Sequence, residues 1–360
     1  MTALPTRTRS GLLTTGALLA VTSLLLAGCT SNEAPAEEGA APPEGASGAP
    51  AGGAGSSNDE IGDTVTIGFS GPAADHGWLA AINIAALAEA EKYDDIELLT
   101  AEGTNDASLQ ISQIETFIND GVDAIVLLPT DGAALTDVAI QAMEAGIPVI
   151  NVDREFSSPF AARTTILGDN YGMGVSAGTY ACQVVEEEGL GADAVIAEIP
   201  GIDSLPLTQD RSQGFVDALA ECDQDVDNRV PAEFTVESGE EAASQLLQAA
   251  PQIDIIWNHD DDQGIGVKAA FDNAGRNEFA FIGGAGSANA MRWIQDGEMA
   301  ATVIYPPTQA ADGIRLARLI AQNKGLSDLV QVEVPKRIVL NAPVVTAENV
   351  EQYLPLGFES

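Results

Sequence analysis

The chain has 360 residues, 45% of them hydrophobic, with 15 Lys and Arg against 54 Asp and Glu and a formal net charge of −39. So acidic a chain excludes nucleic acid, whose binding needs phosphate neutralisation, and supplies no basic patch for anionic lipid. The charge otherwise describes a solvated acidic surface and speaks to solubility more than to mechanism.

The opening residues MTALPTRTRS carry Arg7 and Arg9 and no acid, and the apolar run GLLTTGALLAVTSLLLAGC follows. A basic segment, an apolar segment and small residues in that order are a secretory signal. The run is shorter than the about 20 apolar residues of a spanning helix, and hydroxyl residues interrupt it. Its end, Leu26-Ala27-Gly28-Cys29, resembles the lipobox of bacterial lipoproteins. That implies a signal peptide over 1–28, a lipidated Cys29, and contact with the cell membrane through this anchor only. Residues 29–62 are Ala, Gly, Pro, Ser and Glu with almost nothing to bury, and are expected to be a disordered tether. The remaining body of roughly 300 residues exceeds one comfortable core and implies two domains.

Beyond the tether, strand and helix signals alternate. VTIGFS is a short apolar strand, a helical pattern covers Leu79 to Tyr93, and IELLTAE is the next strand. ASLQISQIETFINDG has helical spacing, followed by AIVLLPT (strand), ALTDVAIQAMEAGI (helix) and PVINVDRE (strand). A second series begins near residue 170. TYACQVVEEEG, SQGFVDALAEC, EEAASQLLQAAP and QGIGVKAAFDNAG read as helices between the strands ADAVIAEIPG, RVPAEF, IDIIWN and FAFIGG. MAATVIYPP, ADGIRLARLIAQNKG and VPKRIVL close the series as strand, helix and strand. The strands are continuous apolar runs, the pattern of parallel strands buried on both faces. The expected fold is therefore α/β, with two doubly wound parallel-sheet lobes.

Ligands of such sheets bind beyond the carboxyl ends of the strands. Those ends are polar here: Ser70, Asp75, His76 and Trp78 after the first strand, Asp153 and Arg154 after PVINV, and His259 with Asp260, Asp261 and Asp262 after IDIIWN. Carboxylates accept pairs of hydroxyl hydrogen bonds, Arg donates a planar fork, and an aromatic ring offers an apolar plate. The combination suits a small polyhydroxyl compound. The triple Asp cannot share one role, because acids in a first helical turn and an Asp N-cap are stabilising in themselves. Asp260 and then Asp261 are the candidates to face a ligand. The chain holds three Cys; with Cys29 lipidated, Cys182 and Cys222 are an even pair in an oxidising compartment, either bridged or two separate buried thiols.

The segments DTVTIGFS, GVDAIVLLPTD, AGIPVINVDRE, GDNYGMG, DRSQGF and GEMAATVIYPPTQAADG resemble the type I periplasmic binding proteins of sugar ABC importers, the ribose-binding-protein-like group. The resemblance implies two lobes joined by three crossover hinges, near Gly168–Tyr171, Tyr305–Thr308 and Pro335–Ile338. The first lobe would comprise 63–168 plus 308–336, and the second 169–307 plus 337–360. It implies sugar contacts from Asp153, Arg154, Arg211 and Phe234, and from Ser70, His76 and Trp78 in the first-strand loop. Three positions depart from the ribose pattern: Asp260 stands for Asn, Ala285 for Asp and Tyr305 for Gln. Another pentose, a hexose or a polyol is therefore as open as ribose.

The function this implies is an extracytoplasmic binding lipoprotein, without cofactor or metal and not an enzyme. It would act as a monomer that captures a monosaccharide or polyol and delivers it to the ABC permease of an importer. The same fold also serves as a sugar sensor coupled to a signalling receptor. A secreted metal-dependent hydrolase is disfavoured, since the chain has two His and lacks GxSxG, HExxH and P-loop motifs.

Overall fold

A computed structural model describes residues 58–325 and 334–359. The signal segment, Cys29 and nearly all of the expected tether lie outside the described residues. The chain runs β1 (Val65–Ser70), α1 (Gly77–Ala90), β2 (Ile96–Thr100), α2 (Ala107–Asp120), β3 (Ala124–Leu127), α3 (Gly132–Glu144), β4 (Val149–Val152) and β5 (Thr164–Gly168). It continues through α4 (Asn170–Glu188), β6 (Ile196–Ile199), α5 (Pro206–Ala220), β7 (Asn228–Arg229), α6 (Val236–Ala249), β8 (Ile255–Asn258), α7 (Asp261–Asn273), β9 (Ala280–Ala285), α8 (Ala288–Asp296) and β10 (Ala301–Ile304). The last elements are α9 (Gln309–Ala321), β11 (Arg337–Leu340), β12 (Val344–Thr346) and α10 (Val350–Tyr353).

The strands form two sheets, ordered β11-β5-β4-β3-β1-β2 and β12-β10-β9-β8-β6-β7. All pairings are parallel except β10 with β12. In each sheet the order reverses beside the lobe's first strand, and the carboxyl ends of β1 and β3, and of β6 and β8, border a crevice. Every side chain of β3, β4, β6 and β8 is buried, as helices on both faces require.

Many polar residues at strand ends are helix caps. Asp106, Asp131, Asp169 and Ser287 each accept a backbone N–H from the first turn of the following helix, worth ~1 kcal/mol apiece. Cys182 of α4 and Cys222 after α5 are joined by a disulfide, with Cα atoms 6.0 Å apart.

At the amino-terminal edge of the first sheet, Arg318 of α9 forms a buried ion pair with Asp95, Nε to Oδ1 at 2.6 Å. Its other nitrogens donate to the carbonyls of Asn58 (2.6 Å) and Glu60 (2.8 Å). Gly62 N–H and Gln322 Nε2 also donate to Asp95, at 2.6 and 2.8 Å. The start of the described chain is thereby tied beneath β1 and β2.

Three expectations need revision. VPKRIVL is a strand, but β11 pairs with β5 in the first sheet. The third crossover therefore lies between Leu340 and Val344, beyond the expected Pro335–Ile338, and the first lobe retains residues to Leu340. RVPAEF shrinks to the two-residue β7, because the backbone leaves the sheet to place Phe234 in a left-handed conformation, φ 67°. The TTILG strand β5 and the nine-residue helix α8 were not foreseen; β5 is too brief to carry a clear period.

Candidate functional site

The site lies at the carboxyl ends of both sheets. Asp153 follows β4 with φ 64°, a left-handed conformation that Asp tolerates better than most residues. Its Oδ1 accepts the hydroxyl of Tyr305 at 2.5 Å. Arg154 Nε stands 3.7 Å from Asp153 Oδ2. One terminal nitrogen of Arg154 donates to Thr130 O at 2.7 Å, which fixes the guanidinium against the end of β3. Its Nε is buried without a hydrogen-bond partner.

The second lobe presents Arg211 from α5. Helices α4 and α5 approach closely through Gly174 and Gly214; a Cβ on Gly174 would collide with the carbonyl of Arg211, and one on Gly214 with that of Tyr171. This contact brings Arg211 to Asn170 at the start of α4, where Nε donates to Asn170 Oδ1 at 2.9 Å. A second nitrogen donates to His259 O at 3.2 Å. The guanidinium also lies over Tyr305, 4.5 Å from the ring centroid, an attractive arrangement for a cation. Asn170 Nδ2 donates to the Tyr305 hydroxyl at 3.2 Å. Arg211, Asn170, Tyr305 and Asp153 thus form one hydrogen-bonded chain through two crossovers.

Trp78 closes the cleft from the first lobe. Its backbone N–H donates to Asp262 Oδ2 at 3.1 Å and its Nε1 to Tyr305 O at 3.0 Å. His76 is held by Asp75, Nδ1 to Oδ1 at 2.6 Å, and its ring lies roughly parallel to Phe234 with centroids 6.3 Å apart. Together with Leu207 and Ala285, these side chains and Asp260 line one cavity of about 30 Å³.

The triple Asp divides three ways. Asp260 caps α7, accepting N–H groups of Asp262 and Gln263 at 2.9 and 3.3 Å, and also borders the cavity. Burial, then the charges of Asp262 and Asp261, push its carboxyl well above the ordinary range. Asp262 reaches across to Trp78. Asp261, expected to face a ligand, turns away into the lobe and accepts from Gly284 N, Ser287 N and Thr302 Oγ1 at 2.9, 2.7 and 3.0 Å. Successive helical residues point in different directions, and Asp261 faces β9 and β10. Burial pushes its carboxyl up to about 7 against these three donors.

Ser70 is likewise removed from the cleft. It is fully buried, donates to Gln113 Oε1 at 3.0 Å and accepts from Gln110 Nε2 at 3.2 Å on the α2 side. Asp153, Arg154, Arg211, Phe234, Asp260, Trp78, His76 and Tyr305 do meet around one cavity. Leu207 was missed, although it lies one helical turn before Arg211 on the same face. The side chain of His259 is buried behind the site, its Nε2 2.9 Å from Glu198. Burial lowers the imidazole's pKa. Burial alone would raise that of Glu198, but His259 and Arg229 hold it below the usual value. Among the described residues, no group of three His, Cys, Asp or Glu is placed to hold a metal ion.

Residues 67–325 match the family model described as periplasmic binding protein domain. The chain is 29% identical over 256 residues to the ribose import binding protein of Bacillus subtilis, covering 69% of this chain and 81% of that one. A crystal structure of a galactofuranose binding protein superimposes with a TM-score of 0.72 at 25% identity, covering 81% of this chain and 97% of the other. The fructose-binding periplasmic domain of a hybrid two-component system gives 0.70 at 27% identity, covering 81% and 93%. With its two parallel-sheet lobes and the cleft between them, the chain belongs to the type I periplasmic sugar-binding protein family.

Proposed function

We propose that the protein is an extracytoplasmic lipoprotein, anchored through Cys29, that captures a monosaccharide or polyol and delivers it to the permease of an ABC importer. The observation that carries this is the opposition of Asp153 and Arg154 from one lobe to Arg211 and Asp260 from the other, walled by the rings of His76, Trp78 and Phe234. Such a cleft pairs ligand hydroxyls with charged groups and covers the C–H faces of a sugar with aromatic plates. It binds without chemistry: specificity arises because an unpaired buried hydroxyl costs ~1–3 kcal/mol. The protein works as a monomer, without cofactor or metal, and is not an enzyme.

A thermal-shift and calorimetric screen against pentoses, hexoses and polyols tests this. Saturation at a hundred times the dissociation constant adds ~2.7 kcal/mol of stability. Turnover of a substrate with no shift from any sugar or polyol would refute it. A second reading, delivery of the closed form to a sensor kinase, is favoured by the likeness to the fructose-binding domain of a two-component system. Neighbouring genes separate the two: a permease and ATPase support import, a histidine kinase supports sensing.

A further inference from the structure

A groove of about 610 Å³ runs between the two lobes beside the first crossover. Asp131 and residues 153–157 line it from the first lobe, Ser204 and Asp210 from the second, and residues 167–171 of the crossover form one side. Asp153, Arg154 and Leu207 line both this groove and the cavity described above, so the groove continues the sugar site. With the lobes as they stand the cavity holds about 30 Å³, whereas the groove falls within the roughly 300–1,000 Å³ of small-molecule sites.

Its polar groups suit a ligand that both donates and accepts. Asp131 and Asp169 each accept a helix-start N–H at Oδ1, from Ala134 and Gly172, at 2.8 Å. Among the described residues nothing donates to their Oδ2 atoms or to the carboxylate of Asp210. Arg337 pairs with Glu155, Nε to Oε1 at 3.0 Å, and Arg154 stands beside Asp153, so guanidinium groups are interleaved with the carboxylates. The groove is therefore not a trap for a bare cation. Carboxylates accept pairs of hydroxyl hydrogen bonds and Arg donates a fork, the same chemistry as in the cavity.

A second, independent observation is apolar. Tyr171 and Val339 are large side chains left 46% and 45% exposed, and both line this groove. The Tyr171 hydroxyl donates to Asp217 Oδ2 at 2.9 Å, which anchors the ring to the second lobe. An exposed ring held beside free carboxylates offers a plate for C–H groups and acceptors for the hydroxyls around them.

We propose that the groove is an outer subsite for a second sugar unit, so that the ligand is a disaccharide. Its inner unit meets Asp153, Arg154, Arg211 and Asp260, and its outer unit lies against Tyr171, between Asp131 of one lobe and Asp210 of the other. Contacts to both lobes favour their closed arrangement, so the outer unit adds affinity. This rests on the sugar-binding reading above and extends its ligand by one unit.

Calorimetry on the full chain, comparing each monosaccharide with disaccharides that contain it, tests the proposal: D-glucose with maltose and cellobiose, D-galactose with lactose and melibiose, D-xylose with xylobiose, and L-arabinose with arabinobiose. In a set that binds, the favoured disaccharide is expected to bind about tenfold or more tightly than its monosaccharide, the yield of one or two added hydrogen bonds. Tyr171→Ala should lower the ratio of disaccharide to monosaccharide affinity; Asp210→Ala, at an exposed position, provides the same test if the first variant does not fold. Equal or weaker binding of every disaccharide, relative to whichever monosaccharide or polyol binds, overturns the outer subsite and leaves the sugar-binding reading intact. A gain that neither variant reduces overturns it as well. Failure of every sugar and polyol to bind overturns both.

Discussion

The hydroxyl of Tyr305 donates to Asp153 Oδ1 at 2.5 Å, joining the end of β10 to the end of β4 across the two lobes. The acceptor is a carboxylate, and a hydrogen bond to a charged group contributes ~1.5–3 kcal/mol. In Tyr305→Phe that bond and the one from Asn170 are both lost. The lobes should separate while each remains folded. The radius of gyration from small-angle scattering should increase, and Trp78 fluorescence should shift to the red as the indole meets water. Unchanged scattering would show that the bond does not hold the lobes together.

Arg211 uses its planar fork in two directions, to Asn170 Oδ1 and His259 O, and stacks on Tyr305. A Lys at this position keeps the charge and loses the geometry. Arg211→Lys is expected to weaken binding of any sugar found in the screen by at least about tenfold, the equivalent of ~1.4 kcal/mol. Asp153→Ala should abolish the ligand-induced thermal shift. The ligand-free melting temperature checks that both variants remain folded; sugar binding equal to the parent's in both would displace the site.

Removing one partner of a buried ion pair leaves the other charge uncompensated, a loss of ~3–5 kcal/mol. Asp95→Asn leaves Arg318 with the carbonyls of Asn58 and Glu60 but no carboxylate. A urea titration should show an unfolding free energy lower by about that amount, with the cleft's ligand affinity unaltered.

Two buried carboxyls respond to pH in opposite senses. The hydrogen bonds from Arg318 hold Asp95 far below its ordinary range, helped by Gly62 and Gln322. Its stabilisation is therefore present above the unfolded value and is lost as pH falls below about 4. Asp261 is pushed up to about 7 from 3.8 by burial. Between these values the native state holds more protons than the unfolded chain, so this group's contribution declines as pH rises through the window and is constant above it. Stability measured at pH 4 and pH 7 should move in favour of Asp261→Asn, relative to the parent, as pH rises. A constant difference between the two proteins would contradict the raised value.

The alternation of apolar strands with helices made both lobes legible, because strands buried on two faces leave long uninterrupted runs such as AIVL and VINV. The charged pair Asp153-Arg154 was legible for the same reason: it ends such a run. Brief elements were not. TTILG has too few residues to display a period, and the assignment of β11 to the first sheet is a matter of pairing that local composition does not encode. Within the site, WNHDDDQG places three carboxylates at a helix start, but only packing decides which way each one turns. Asp260 borders the cavity, Asp261 faces β9 and β10, and Asp262 meets Trp78. Ser70 failed as a candidate because the last residue of β1 points to α2, where Gln110 and Gln113 were waiting to pair with it.

The knot of Arg318 with Asp95, Asn58 and Glu60 sits at the amino-terminal edge of the first sheet, and the cleft opens at the opposite edge. A mechanical load applied to the chain ahead of Asn58 is met first by two carbonyls gripped by a guanidinium seated in α9. That load passes into α9 and the start of β2 before it can peel β1 from its neighbours. The point where such a load enters and the cleft thus fall at opposite poles of one lobe.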